Sequence, residues 1–96
     1  MQIPRDTIES SLPKKGFVRE DSHHRFFYHE YEGKTTGAYT YTSHGSKHKT
    51  YSEPLFKMMK KQLHLDRVKQ VEELFLCPID GNDYNQILRE KGRLKE

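Results

Sequence analysis

The chain has 96 residues, with 17 Lys+Arg against 14 Asp+Glu for a formal charge of +3, and six His besides. Only 32% of its residues are hydrophobic, below the roughly 45–50% apolar usage of an average globular chain, so the core must be small. Six Tyr and five Phe still exclude a disordered or low-complexity chain, and no run approaches the roughly 18 apolar residues of a membrane span.

In chain order, Pro4-Arg5-Asp6-Thr7-Ile8-Glu9 reads as a helix opening, with Ile8 and Leu12 on one face until Pro13 and Gly16 stop it. Phe17 to Glu20 alternates as a brief strand, and Asp21-Ser22 is turn chemistry. His24 to Tyr31 is dense in aromatics, as strands are. Glu32-Gly33-Lys34 supplies the next turn, and Thr36 to Thr42 sets Tyr against Thr or Ala in strict period two. These segments predict a three-stranded antiparallel meander.

Beyond the loop Ser43 to Lys49, Ser52 is placed to cap a helix that tolerates Pro54 in its first turn. Leu55, Met58, Met59 and Leu63 form its apolar face, and Lys57, Lys60, Lys61 and His64 the other. Asp66 is read as the cap of a third helix carrying Val68, Val71, Leu74 and Phe75. The capping-box-like run Asp80 to Asp83 opens a fourth, with Tyr84, Ile87 and Leu88 as its stripe and Gly92 as its end. The fold class is therefore α+β, in the order α-β-β-β-α plus two C-terminal helices. Residues 1–65 are predicted to form the core, and residues 66–96 a helical extension packed on it.

Charge follows the same division. Residues 1–65 carry a net +4 and all six His, and residues 66–96 a net −1, so any basic surface belongs to the first part. Cys77 is the sole cysteine, which excludes an internal disulfide and a CxxC knuckle, and beside Pro78 it reads as a small core residue. The N-terminal run Met1 to Arg5 lacks the apolar stretch of a signal peptide, so a cytoplasmic location and no membrane partner are expected.

Six histidines invite a metal reading, but their spacing repeats no ligand pattern such as HExxH, and no metal site or cofactor is predicted. Histidine titrates near neutrality and trades protons readily in phosphodiester chemistry. His23 and His24, read as neighbours in a strand, point to opposite faces, so that one alone serves a site. His29 and His64 are read as structural. The loop from Ser43 to Lys49 sets Lys47 and Lys49 close together among small residues, a pattern suited to phosphate, and Lys57, Lys60 and Lys61 extend that surface. Tyr39 and Tyr41 share a face. Exposed, they would stack unpaired bases, but the preferred reading packs them on the core with Thr40 and Thr42 in solvent, and Met58-Met59 fills the core too.

The succession Lys15-Gly16-Phe17, Ser22-His23-His24-Arg25-Phe26-Phe27, Ser43-His44-Gly45-Ser46-Lys47 and a helix with Leu55 and Leu63 resembles the HicA-type mRNA interferase toxins over residues 5–65. Asp21 stands where that family commonly carries Gly, and residues 66–96 lengthen the usual short toxin by about half. The resemblance implies a double-stranded-RNA-binding-like fold, metal-independent cleavage of RNA and a cognate HicB-like antitoxin as partner. It places the family histidine on His24, with His23 as the alternative. The candidate RNA contacts are Arg25, His44, Lys47, Lys49, Lys57, Lys60 and Lys61. A non-catalytic RNA-binding or interaction module of the same fold is the competing expectation.

Overall fold

The computed structural model describes residues 2–43, 45, 49–76 and 78–94. A two-residue strand, β1 (Ile3–Pro4), leads into α1 (Arg5–Ser11), and Pro13, which lacks an amide donor, tightens the following turn to a 3-10 turn over Leu12–Lys15. Gly16 ends it in the left-handed region at φ 93°, and a Cβ there would lie 3.3 Å from the His29 ring. The chain then enters β2 (Phe17–Asp21), β3 (Arg25–Tyr31) and β4 (Lys34–Thr42), an antiparallel sheet in the order β2-β3-β4. Glu32 and Gly33, both at positive φ, form the two-residue turn between β3 and β4, whose twist matches that of the flanking strands. His29 follows Phe27 on the inner face by alternation and sits among core residues, beside a register irregularity between Tyr28 and Glu30.

The two faces of the sheet are the reverse of the expectation. Phe17, Phe27, His29, Ala38, Thr40 and Thr42 are buried, while Phe26, Tyr28, Tyr39 and Tyr41 stay half-exposed on the other face. Threonine is tolerated inside because each hydroxyl finds an acceptor: Thr40 donates to Gln62 Oε1 at 2.8 Å and Thr42 to Glu9 Oε2 at 2.6 Å.

After β4, the short strand β5 (Thr50–Tyr51) pairs with β1, a second small ladder that two residues of sequence do not announce. In α2 (Glu53–Gln62) the buried stripe is Phe56 and Met59, continued by Leu63. Leu55 is half-buried, and Met58 is exposed rather than core filler. The start of α3 (Val68–Leu76) also departs from expectation. The Gln70 side chain accepts from the Asp66 and Arg67 amides at 2.9 and 3.1 Å, whereas the Asp66 carboxylate pairs with Lys91. In α4 (Gly81–Glu90) the capping box forms between Asp80 and Asp83, and Gly92 at φ 71° allows the Arg93 amide to reach back to the Leu88 carbonyl at 2.8 Å.

One cluster joins all these elements: Ile8 and Leu12 meet Phe56, Met59 and Leu63 of the second helix and Val71, Leu74, Phe75, Tyr84 and Leu88 of the last two. The Tyr84 hydroxyl donates to the Leu63 carbonyl at 2.7 Å, and burial pushes its pKa upward. Residues of the C-terminal third are thus part of the single core. No helix among the described residues is long and apolar enough to cross a membrane.

Candidate nucleic-acid interface

His23 and His24 lie in the turn between β2 and β3, because the strand begins only at Arg25. The Ser22 amide donates to the His24 carbonyl at 2.8 Å and closes a three-residue loop between the paired Asp21 and Arg25. Turn residues escape the period-two rule, so the expected separation of the two imidazoles to opposite faces does not occur. Their ring centroids are 4.7 Å apart. His23 is exposed with the Ser22 hydroxyl 3.5 Å from its Nδ1, whereas His24 is half-buried and stacks on Tyr41 at 4.8 Å and 20°. The His24 Nδ1 is enclosed and has no hydrogen-bond partner among the described residues.

From this pair an aromatic row runs along the outer face of the sheet. Phe26 meets His23 edge-on at 5.4 Å and Tyr41 at 5.5 Å, stacks on Tyr28 at 5.7 Å, and Tyr28 stacks on Tyr39 at 6.2 Å. Strand alternation places Val18 and Glu20 on the same face. At the β4 end, Tyr41 reaches α2, its hydroxyl 3.7 Å from Met58 Sδ. A cleft of about 210 Å³ opens there, lined by Tyr41, Ser43, Tyr51, Leu55 and Met58.

The predicted cations among the described residues are not gathered in one place. Arg25 faces the inner side, where its guanidinium meets Glu9 at 2.8 Å, so it is withdrawn from the proposed RNA surface. Lys57 and Lys61 are exposed on α2, within one turn of Met58; Lys57 has only a loose contact with Glu53, at 3.8 Å. Lys60, half-buried, lies on that helix too, and Lys49 is exposed just before β5. His44, Lys47 and Cys77 lie outside the described residues. Arg5 was not singled out from the sequence, yet its guanidinium donates to the Ser43 and Gly45 carbonyls at 2.8 and 2.6 Å, pinning the end of β4 to α1. Only its position after Pro4 was visible in the sequence, and that carries no such signal.

His29 is fully buried, with Nδ1 2.9 Å from the Thr36 hydroxyl and ring contacts to Phe17 and Tyr84. Burial lowers its pKa from 6.5 to about 4. His64, at φ 58° after α2, is also held below its ordinary value by burial and by Arg93. Neither belongs to the outer face. Among the described residues no three His, Cys, Asp or Glu side chains assemble into a metal-holding group.

Comparisons with protein-family models, with curated proteins and with solved structures return no significant match.

Proposed function

We propose that the protein is an RNA-binding endoribonuclease that cleaves by metal-independent histidine chemistry, as the resemblance to the HicA-type toxins implies. The observation that carries this reading is the pair His23 and His24, 4.7 Å apart at the end of an outward-facing aromatic row, with His24 stacked on Tyr41. One imidazole takes the proton of a ribose 2′-hydroxyl, whose oxygen bonds to the adjacent phosphorus. The P–O5′ bond breaks, and the other ring, as imidazolium, gives the 5′-oxygen its proton. The products are a 2′,3′-cyclic phosphate and a 5′-hydroxyl end. His24, fixed against Tyr41, is assigned the proton-transfer role that needs a held geometry, and His23 the second. Lys57 and Lys61 attract the backbone.

The helix–three-strand–helix succession through α2 supports a double-stranded-RNA-binding-like arrangement, with the last two helices added to its core. A HicB-like antitoxin is the proposed protein partner and the cytoplasm the proposed location. Cleavage of RNA in EDTA by the wild type, His23→Ala and His24→Ala tests the reading, with circular dichroism to verify folding. Loss of about 10²–10⁴ in rate for His24→Ala, and at least tenfold for His23→Ala, is expected from removal of proton-transfer groups. Binding without cleavage by the wild type would reassign the protein as a non-catalytic RNA-binding module, which the aromatic face alone would serve.

A further inference from the structure

The geometry points to the cleft between the end of β4 and α2 as a pocket for one unpaired nucleobase of the RNA, set beside the bond that the histidine pair cleaves. The inference rests on the ribonuclease reading and adds what that reading lacks, a basis for choosing single strands and a position along them. Tyr41 links the two places, because its ring lines the cleft and stacks on His24 at 4.8 Å. An occupant of the cleft is therefore held one aromatic ring away from the imidazoles.

The walls suit a base. Tyr41 and Tyr51 supply aromatic surface, Leu55 and Met58 supply apolar and polarisable contact, and the five described lining residues are uncharged, walls that suit a flat neutral group better than a phosphate. The hydroxyls of Ser43 and Tyr51, 3.5 Å apart, and the Ser43 amide, which donates to the Tyr51 hydroxyl at 2.9 Å, place hydrogen-bonding groups at one end. The Arg5 guanidinium holds that end through the Ser43 carbonyl. Charge complementarity selects a nucleic acid over an aromatic peptide. Exposed Lys57 and Lys61 flank Met58 on α2 and Lys49 lies just before β5, placing positive charge where the phosphates on either side of a seated base would run. A volume of about 210 Å³ accommodates one base, and a base stacked within a duplex cannot enter without leaving its helix.

The experiment uses the full chain and single-stranded RNA dodecamers of one mixed sequence, each lacking the base at one position, with binding read at low salt and the cleaved bond mapped. One abasic position next to that bond is expected to weaken binding by about 5- to 150-fold, the range of a lost base–aromatic stack, and to slow cleavage. Met58→Trp, which fills the cleft, is expected to erase that dependence with the melting temperature unchanged. Met58→Leu, of similar volume, should retain it. Wild-type protein that binds and cleaves every abasic dodecamer alike, or that cleaves the matching duplex as fast as the single strand, overturns the pocket and leaves the ribonuclease reading standing. Absence of any binding at low salt overturns both.

Discussion

The Nη1 of Arg25 lies 2.8 and 2.9 Å from the two carboxylate oxygens of Glu9, tying the first residue of β3 to α1 on the inner side of the sheet. Burial alone would raise the Glu9 pKa, but the Thr42 hydroxyl and the Arg25 guanidinium outweigh it and hold the carboxyl below its ordinary value. Arg25→Ala leaves a largely buried carboxylate without its charged donor, and is expected to destabilise the fold by about 1–3 kcal/mol in urea denaturation. The slope of RNA affinity against salt should not change. An unaltered urea midpoint together with a flatter salt slope would put this guanidinium on the RNA instead.

Acid should weaken the fold through His29. Its folded-state pKa of about 4 lies below the ordinary 6.5, so between those values the unfolded chain takes up a proton that the folded one refuses. The contribution is complete above pH 6.5 and is lost as pH falls toward about 4, at up to roughly 1.4 kcal/mol per pH unit. Glu9 acts lower: its depressed carboxyl contributes above the ordinary value of 4.5 and loses that contribution as pH falls through its folded-state pKa. Urea midpoints of wild type and His29→Phe between pH 4 and 7 check this. The substituted chain should show a flatter decline across the upper window, and parallel curves would exclude His29 as the cause.

Truncation after Leu65 removes the buried Val71, Leu74, Phe75, Tyr84 and Leu88 together. Deleting one large core side chain costs about 2–5 kcal/mol against a total stability of about 5–15, so residues 1–65 alone should show no cooperative melting transition. Tyr84→Phe isolates one link. Without the 2.7 Å hydrogen bond to the Leu63 carbonyl, a loss of about 1–2 kcal/mol is expected from thermal or urea melting. A cooperative transition in the truncated chain would establish that the first 65 residues fold alone.

Replacing Lys57 and Lys61 with Ala should flatten the slope of log affinity against log salt by about one to two units, since each neutralised phosphate contributes about 0.7–0.9. Stability should move by less than about 0.5 kcal/mol, because both side chains project from the exposed side of α2. An unchanged slope would relocate the electrostatic contact to another face.

The three strands of the larger sheet, helix order and the capping box of the fourth helix were legible in the sequence, because alternation, apolar spacing and the Asp80–Asp83 offset are local signals. The orientation of the sheet was not. Tyr39, Thr40, Tyr41 and Thr42 alternate perfectly, but period two shows only that two faces exist, and bulk suggested the wrong one as inner. The acceptors that satisfy Thr40 and Thr42 are Gln62, 22 residues away, and Glu9, 33 residues away, so no local window contains them. The expectation that His23 and His24 oppose each other failed, since a strand start displaced by one residue turns alternation into a hairpin loop. Tyr39 and Tyr41 were considered as a stacking surface and set aside for core packing; with Phe26 and Tyr28 they are half-exposed on the outer face instead.

The inward threonines have a consequence for how the chain finds its pairing. A strand with bulky rings on one side and small hydroxyls on the other can slide by one residue without a hydrophobic penalty, because tyrosine and phenylalanine would bury more apolar surface than threonine does. What such a slipped hairpin loses is polar: Thr42 would leave Glu9, Thr40 would leave Gln62, and His29 would leave Thr36. These three hydrogen bonds, two of them of long reach, therefore act as a proofreading device, rejecting a misaligned sheet that greasiness alone would accept and keeping the aromatic side turned to the world.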